Sequence, residues 1–216
     1  MGNSNQNYVV ALGRQFGSGG REIGQLVAQG LHIDYYDKEL LEEAAKSSGV
    51  NKDFFEAADE RSPNFFSGLW SFLPSGYNTS AYYMVGSMPL SDDNIYRAQS
   101  DVIRGLANRG SCVIVGRTAD YILRNHCKVI SVFVHAALAD CTARILARGE
   151  ANGEKEAQSM AEHQNKLRAE YYNFYTDRRW GDAASYDLCL NASLLGTQAA
   201  ADVICTFVKK AIDSKK

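Results

Sequence analysis

The segment 13–24 carries the residue types that hold phosphate groups in proteins. It reads G-R-Q-F-G-S-G-G-R-E-I-G and follows the apolar run 8–12. That order predicts a strand, then a glycine loop, then a helix whose first turn faces the loop. The closely spaced glycines let backbone N–H groups point inward, because no Cβ obstructs them. The helix adds unpaired donors and its positive dipole end, so the segment predicts a phosphate-binding loop.

The loop departs from the usual pattern G-x-x-x-x-G-K-[ST] at its lysine and at its hydroxyl. With Gly17-Ser18-Gly19 placed on the G-x-G of such loops, Gly20 takes the lysine position and Arg21 follows it. Either the backbone donors of the loop bind phosphate together with Arg14 or Arg21, or the loop no longer binds ATP. A glycine turn that only joins strand to helix is the simpler alternative. The predicted nucleotide-binding residues are Arg14, Gly17, Ser18, Gly19, Gly20, Arg21 and Glu22.

Cationic side chains recur along a chain whose net charge is -2. Phosphoryl transfer brings two polyanions together, so cations must converge on them from several elements. Each such cation alone also fits a solvated helix face or a structural ion pair. Asp37 is placed to hold magnesium, to orient an acceptor or to cap a helix that begins at Lys38. The predicted catalytic residues are Arg21, Asp37, Arg144, Arg148, Lys166 and Arg168, while Arg117 and Arg178 add to the converging charge.

Short apolar segments alternate with helical ones, which predicts an α/β fold with a parallel sheet covered by helices on both faces. The predicted strands are 8–12, 33–36, 112–115, 129–134 and 188–190. The predicted helices are 21–31, 38–47, 53–59, 92–108, 118–124, 138–147, 154–175 and 195–212.

Two segments interrupt this alternation. Residues 62–90 contain all three prolines and many aromatic side chains, which favours a packed insert over a disordered linker. Residues 147–183 are highly charged. A parallel core with two insertions beside a phosphate loop is the plan of a small-molecule kinase. We therefore expect one domain, 1–216, with a core of 7–60, 98–146 and 184–213, an acceptor-binding insert at 61–97 and a lid at 147–183.

Composition narrows the class of protein. A net charge of -2 gives no electrostatic case for nucleic-acid binding. The five cysteines form no C-x-x-C pair and suit a reduced, cytosolic protein without zinc. The four histidines show no metal-ligand spacing, so no residue is assigned to a protein metal site. No apolar run approaches the about 18 residues of a membrane span, and the polar N-terminus is not a signal peptide. These features predict a cytoplasmic protein with small-molecule partners.

Several longer motifs resemble one family. These are R-Q-F-G-S-G-G-R-E-I-G, Y-Y-D-K-E-L-L, C-V-I-V-G-R-T-A-D-Y-I-L and Y-Y-N-F-Y-T-D-R-R-W-G-D followed by Y-D-L-C-L-N. They span nearly the whole chain in order, and in this the chain resembles the cytidylate kinase-like family, a branch of the P-loop nucleoside monophosphate kinases. The resemblance implies a three-layer P-loop kinase fold with a five-stranded parallel sheet. It also implies transfer of the γ-phosphoryl group of ATP to CMP or dCMP, with Mg²⁺.

The resemblance also implies residue roles. Gly17 to Gly20 match the ATP phosphate loop with its lysine changed, and Asp37 matches an aspartate that faces the reaction centre. Gly116-Arg117 match a G-R-D-like element whose arginine binds the acceptor phosphate, with Thr118 in place of the aspartate. The predicted substrate-binding residues are Asp37, Arg117 and Asp120, together with Arg61 and Arg104. Arg61, Arg97 or Arg104 could each supply the acceptor arginine that the pattern expects shortly after Asp37, and the sequence does not choose among them. In the lid region, Arg144 and Arg148 fit an arginine helix, and Lys166 and Arg168 fit a basic arm.

Two alternatives stay open beside an ATP-dependent kinase of CMP. The missing lysine and hydroxyl favour a nucleotide- or phosphate-binding protein without turnover. The aromatic insert, and the acidic Glu42 and Glu43 where an acceptor arginine is expected, favour a kinase of a non-nucleotide small molecule.

Overall fold

The central feature of the fold is a five-stranded parallel sheet, seen in a computed structural model that describes residues 7–37, Leu40 and residues 92–214. The predicted helices at 38–47 and 53–59 lie outside the described residues, apart from Leu40, and so does most of the predicted insert. The strands are β1 (Tyr8–Arg14), β2 (Asp34–Tyr36), β3 (Cys112–Val115), β4 (Lys128–His135) and β5 (Leu188–Asn191). Their order across the sheet is β2-β3-β1-β4-β5.

The interior position of β1 in the sheet fits its sequence. Val9, Val10, Ala11 and Leu12 are all buried, as expected for a strand covered on both faces. Leu12 pairs with Val115 of β3 and with Val132 of β4. All strand pairs are parallel, so the carboxyl ends of the strands meet at one edge of the sheet. In open α/β sheets, that edge is where ligands bind.

Helices cover both faces of this sheet. The elements are α1 (Gly20–Leu31), α2 (Asp92–Arg109), α3 (Ala119–Ile122), α4 (Leu138–Ala147), α5 (Glu154–Tyr175) and α6 (Ala192–Asp213), with a short 3₁₀ helix at Ala183–Ser185. Because side chains alternate along a strand, Val10 and Leu12 pack under α1 and α6. Val9 and Ala11 face α2 and α3. The predicted three-layer arrangement is confirmed.

Several helix boundaries differ from the prediction by one to three residues, and local conformation or capping explains two of the helix starts. Helix α3 begins at Ala119 rather than at Thr118, because Thr118 has a left-handed φ of 52°. Helix α6 begins at Ala192 rather than at residue 195, because the Asn191 side chain caps it by accepting from Ser193 N at 3.0 Å. The helix then kinks at Gly196, whose φ is 73°.

The charged segment after α4 forms one long helix, α5, as predicted. Its small residues Ala157 and Ala161 are fully buried against Ile145 of α4. Small side chains allow close packing of the two helices, and this fixes α5 beside the glycine loop. None of the described helices is long and apolar enough to cross a membrane.

Candidate active site

The loop between β1 and α1 has the backbone conformation that its glycines predict. Gly17 and Gly19 have φ values of 77° and 83°, a region that side chains disfavour. A Cβ on Gly17 would also lie 2.7 Å from the carbonyl oxygen of Cys141 in α4. Ser18 is fully buried, and its Oγ donates to the carbonyl of Gln15 at 2.9 Å. The loop therefore sits tightly on α4, directly before the unpaired N–H groups of the first turn of α1.

Contacts from β4 and α5 hold the loop in place. The backbone N–H of Gln15 donates to the carbonyl of Val134 at 3.0 Å, and its side-chain oxygen accepts from Ala136 N at 3.2 Å. The N–H of Phe16 donates to Asn165 Oδ1 at 2.7 Å. Sequence reasoning missed the roles of Gln15 and Asn165. Their partners lie more than a hundred positions away in the chain, so no local pattern signals these contacts.

The side chain of Arg14 passes close to Gly20 of the loop. A Cβ on Gly20 would lie 2.5 Å from Arg14 Cβ and 2.8 Å from its Cγ. Farther out, the Arg14 guanidinium occupies the space beside Gly116, where a Cβ would collide with Nη1. Arg14 thus runs from the end of β1, past Gly20, to the carboxyl end of β3. Burial, and then the nearby charge of Arg117, lower the pKa of Arg14 to about 10, so it remains a cation at neutral pH.

A pocket of about 60 Å³ opens at this point, between the sheet and α5. Three cationic side chains line it, namely Arg14, Arg117 and Arg168, and we call it the arginine pocket. Its other walls include the aromatic residues Tyr171, Tyr172, Trp180 and Tyr186.

Arg168 shows that the arginine pocket suits an anion. Its Nη1 donates to the carbonyl of Arg14 at 3.0 Å. Its Nε is buried and has no hydrogen-bond partner among the described residues. Burial, and then the charges of Arg14, Arg117 and Arg148, lower the pKa of Arg168. An anion in the pocket would relieve the like-charge repulsion and accept the buried donor.

Arg117 is presented to the pocket by an unusual turn. Gly116, Arg117 and Thr118 have φ values of 77°, 61° and 52°. A non-glycine residue in that region costs about 1–3 kcal/mol, so the surrounding structure must hold the turn in place. Gln99 of α2 does so by donating to the carbonyl of Arg117 at 3.3 Å, and Tyr96 OH lies 3.1 Å from Thr118 Oγ1.

Gln99 also ties this turn to the helix above it. Its Nε2 donates to Tyr171 OH at 3.1 Å, and Tyr171 lies on α5. Tyr96 stacks on Tyr175 of the same helix, with ring centroids 4.1 Å apart. These links connect α2, the turn at 116–118 and α5. Sequence reasoning missed Gln99 and Tyr96, because no local pattern signals their contacts.

Asp37 and Arg21 lie together at the end of β2. Arg21 Nε contacts Asp37 Oδ2 at 2.9 Å, and the carboxylate is almost fully buried. Asp37 Oδ1 accepts from Leu40 N at 3.2 Å, which is the geometry of a helix cap. Tyr35 OH donates to Asp37 Oδ2 at 3.4 Å, and burial followed by the Asp37 charge raises the pKa of Tyr35. Asp37 therefore makes the hydrogen bond of a helix cap, which was one of its predicted roles. It lies at the same edge of the sheet as the glycine loop.

Asp120 lines the arginine pocket, but its carboxylate is already engaged. Tyr172 OH donates to Asp120 Oδ2 at 2.7 Å, and Arg178 Nη1 lies 3.6 Å from the same oxygen. Burial raises the pKa of Asp120, against the effect of the Tyr172 hydrogen bond. Its geometry is that of a residue that orients Tyr172 and Arg178.

The other predicted residues lie either near the glycine loop or away from the arginine pocket. Arg144 of α4 is at the loop, where its Nη1 donates to the carbonyl of Gly17 at 3.4 Å. Glu22, in the first turn of α1, accepts from Thr197 Oγ1 at 2.9 Å and so ties α1 to α6. Arg148 is exposed and bonds Glu150 through two nitrogens at 3.0 Å. Its guanidinium also lies 5.8 Å from the ring centroid of Phe16.

Lys166 and Arg104 are not brought to the arginine pocket. Lys166 is 74% exposed and lies 4.0 Å from Glu170, one turn along α5. Arg104 is exposed and contacts Asp101 at 3.1 Å on the same helix. Both positions point outward because buried neighbours on their helices fill the inner faces. Arg61 lies outside the described residues.

Magnesium fits one carboxylate at this edge. Among the described residues, no group of three or more His, Cys, Asp or Glu side chains could hold a metal ion alone. Mg²⁺ in phosphoryl-transfer proteins is usually held by one or two carboxylates together with substrate phosphates and water. Asp37, buried at the end of β2, is of the right chemical type for such a shared ion.

The sheet order, the glycine loop after its first strand and the arginines around it define the class of P-loop kinases. A family model covers residues 9–194, and the chain belongs to the cytidylate kinase-like family. No curated protein sequence matches the chain.

Solved structures agree on the fold. An uncharacterised protein from Eubacterium ventriosum is 30% identical, with a TM-score of 0.70 over 95% of this chain and 99% of that one. A shikimate kinase from Acinetobacter baumannii, in complex with shikimate, has a TM-score of 0.52 at 12% identity over 97% of both chains. One from Bacteroides thetaiotaomicron has a TM-score of 0.53 at 11% identity, over 94% of this chain and 98% of that one. At such identities, the shikimate kinases bear on the fold alone.

Proposed function

We propose that this protein transfers the γ-phosphoryl group of ATP to a small anionic acceptor, with CMP or dCMP as the first candidate. The observation that carries the proposal is the arginine pocket beside the glycine loop. Arg14, Arg117 and Arg168 come from three separate elements and meet at the carboxyl edge of the sheet. Membership of the cytidylate kinase-like family supports a kinase-type phosphoryl transfer and makes CMP the natural first acceptor.

In this proposal, the loop binds the ATP phosphates. Its glycines and the first turn of α1 supply N–H donors and the positive end of the helix dipole. Arg144 lies 3.7 Å through its Nε from the Cβ position of Gly19, so it adds a cation beside those donors. Mg²⁺, when bound, would neutralise charge on the transferred group, and Asp37 would hold it directly or through water.

Within the arginine pocket, Arg117 and Arg168 would bind the acceptor anion, while Arg14, which also borders Gly20 of the loop, would face the ATP phosphates. Arg117 lies on the turn at the end of β3, and Arg168 presents a buried donor from α5. With both polyanions bound, cations would face them from two sides, which is what stabilises a phosphoryl-transfer transition state. We assign residues 147–183, which include α5, the role of a lid that excludes water, and residues 61–97 the role of an acceptor-binding insert.

A second candidate function is nucleotide binding without turnover. The specific observation is that Gly20 and Arg21 replace the usual lysine and hydroxyl, and Arg21 is paired with Asp37 at 2.9 Å. A loop of this kind retains its backbone donors. It lacks the two side chains that most such loops use on the β- and γ-phosphates and on magnesium.

Coupled-enzyme detection of ADP separates these functions. The purified protein is given MgATP with CMP, dCMP, UMP, AMP, and non-nucleotide hydroxyl acceptors, each in turn. ADP formed with CMP or dCMP above the rate without acceptor supports the proposal. ADP formed only with a non-nucleotide acceptor keeps the kinase and overturns the CMP assignment. MgATP binding without ADP formation favours the second candidate.

A pair of variants ties any turnover to the arginine pocket. Arg168→Met removes the buried donor but keeps the apolar stem, and we expect the acceptor KM to rise about tenfold or more. Arg109→Met removes one positive charge at an exposed position at the end of α2. Equal activity of Arg168→Met and Arg109→Met would show that turnover does not use the arginine pocket.

A further inference from the structure

The glycine loop carries a paired exchange of residue types. When Gly19 is placed on the second glycine of G-x-x-x-x-G-K-[ST], the first glycine of the pattern falls on Arg14 and the lysine falls on Gly20. A cation therefore stands where the pattern has glycine, and a glycine stands where the pattern has its cation.

The structure shows that the two changes depend on each other. The Cβ of any side chain at position 20 would lie 2.5 Å from Arg14 Cβ and 2.8 Å from Arg14 Cγ. These atoms lie at the base of the Arg14 side chain, so a rotation about its outer bonds does not clear them. Arg14 and a side chain at position 20 therefore exclude each other, whereas a glycine at position 14 would leave room for one.

The two changes together shift the positive charge from position 20 to position 14 but do not remove it from the loop. The Arg14 guanidinium ends beside Gly116 at the carboxyl end of β3 and lines the arginine pocket. No carboxylate forms an ion pair with it within 7–37 and 92–214, the ranges whose contacts are described. The guanidinium carries parallel donors that match two phosphate oxygens, a geometry that an ammonium group lacks.

We propose that Arg14 supplies, from the end of the first strand, the phosphate-binding charge that the lysine supplies from the first helix in other phosphate loops. Its ligand is the phosphate chain of a nucleoside triphosphate. This inference rests on the proposed function, because it assumes that the loop binds ATP. It also explains why position 20 is a glycine, because a side chain there would collide with Arg14.

A double-mutant cycle tests the exchange. The proteins are the unchanged chain, Arg14→Gly, Gly20→Lys and the double variant R14G/G20K, which restores the standard pattern at both positions. Arg14→Met is added because it keeps the atoms beside Gly20 and removes only the charge, and Arg109→Met is the charge-matched control. MgATP affinity is measured by titration calorimetry and thermal stability by scanning fluorimetry.

We expect Arg14→Gly and Arg14→Met each to weaken MgATP binding about ten- to a hundredfold, because one charged hydrogen-bonding group is lost. Gly20→Lys alone should weaken binding and lower the melting temperature. The double variant should recover most of both losses, while Arg109→Met should bind like the unchanged chain.

The outcomes separate the exchange from the proposed function. If the unchanged chain binds MgATP and Arg14→Met binds equally well, the exchange is overturned and the kinase proposal stands. If Gly20→Lys lowers the melting temperature equally with and without Arg14, the mutual exclusion is overturned. If the unchanged chain binds no MgATP, both the exchange and the kinase proposal are overturned.

Discussion

Arg14→Met should stabilise the protein in the absence of ligand while it weakens nucleotide binding. Arg14 is half-buried, and desolvation followed by the charge of Arg117 lowers its pKa to about 10, well below the ordinary value of an arginine. At 1.36 kcal/mol per pH unit, this shift corresponds to roughly 3 kcal/mol of unfavourable free energy in the folded state. Because partial exposure screens part of that cost, we expect a gain in unfolding free energy of about 1–3 kcal/mol.

The pH dependence has a definite sign. The folded pKa of Arg14 is lower than its unfolded value, so the unfolded chain binds more protons over the pH range that begins near pH 10 and ends where an ordinary arginine loses its proton. The cost of the charge is therefore fully present at neutral pH and disappears as the pH rises through that range. Methionine keeps the apolar stem and removes the charge, so its advantage over arginine should be constant from pH 6 to 8.

Urea unfolding at pH 7 measures the change directly. A gain of about 1 kcal/mol corresponds to roughly 2–4 °C in melting temperature for a chain of this size. Added inorganic phosphate should reduce the advantage of Arg14→Met, because an anion in the arginine pocket binds more tightly when Arg14 is present as a third cation. Arg109→Met controls for the loss of one positive charge. Destabilisation of Arg14→Met by more than about 1 kcal/mol, with Arg109→Met unchanged, would refute the reasoning.

Three further predictions concern the walls of the site. Gly17→Ala should lower the free energy of unfolding by several kcal/mol more than Gly149→Ala, as measured by urea unfolding. Both residues have positive φ, but only at Gly17 would the new Cβ lie 2.7 Å from the carbonyl oxygen of Cys141. Equal losses would contradict this. Asp120→Ala should cost about 1–3 kcal/mol by the same assay because Tyr172 OH loses its acceptor, whereas Asp120→Asn, which keeps an acceptor, should cost less; equal costs would show that the hydrogen bond contributes nothing. Gln99→Leu should raise the acceptor KM with unchanged MgATP affinity, because Gln99 holds Arg117 and Tyr171; an effect on MgATP affinity alone would contradict that role.

Local sequence signals predicted the fold to a large extent. All five strands were placed within two residues of their ends, because runs such as Val9 to Leu12 are apolar on both faces and are typical of a covered parallel sheet. Gly17 and Gly19 likewise marked the loop, because closely spaced glycines indicate a segment that can adopt positive φ values, as both residues do.

Which residues contact one another across the fold could not be predicted from the sequence. Lys166, Arg104 and Arg168 are all basic residues on helices, yet only Arg168 lines the arginine pocket. The difference depends on which helix face packs inward and on the distance to β1. Gln99, Gln15 and Asn165 hold the site through hydrogen bonds to residues distant in the chain, and an isolated polar residue gives no sign of such a contact.

The sequence by itself determined the order of strands and helices, the position of the glycine loop and the absence of a lysine at Gly20, since each is a local property of residue type and spacing. Only the tertiary structure decided that Arg14 passes beside Gly20 and meets Arg117 and Arg168 in one pocket. The physical reason is steric and electrostatic. Which atoms share a space, and which like charges are buried together, depends on how β1, β3 and α5 are brought side by side.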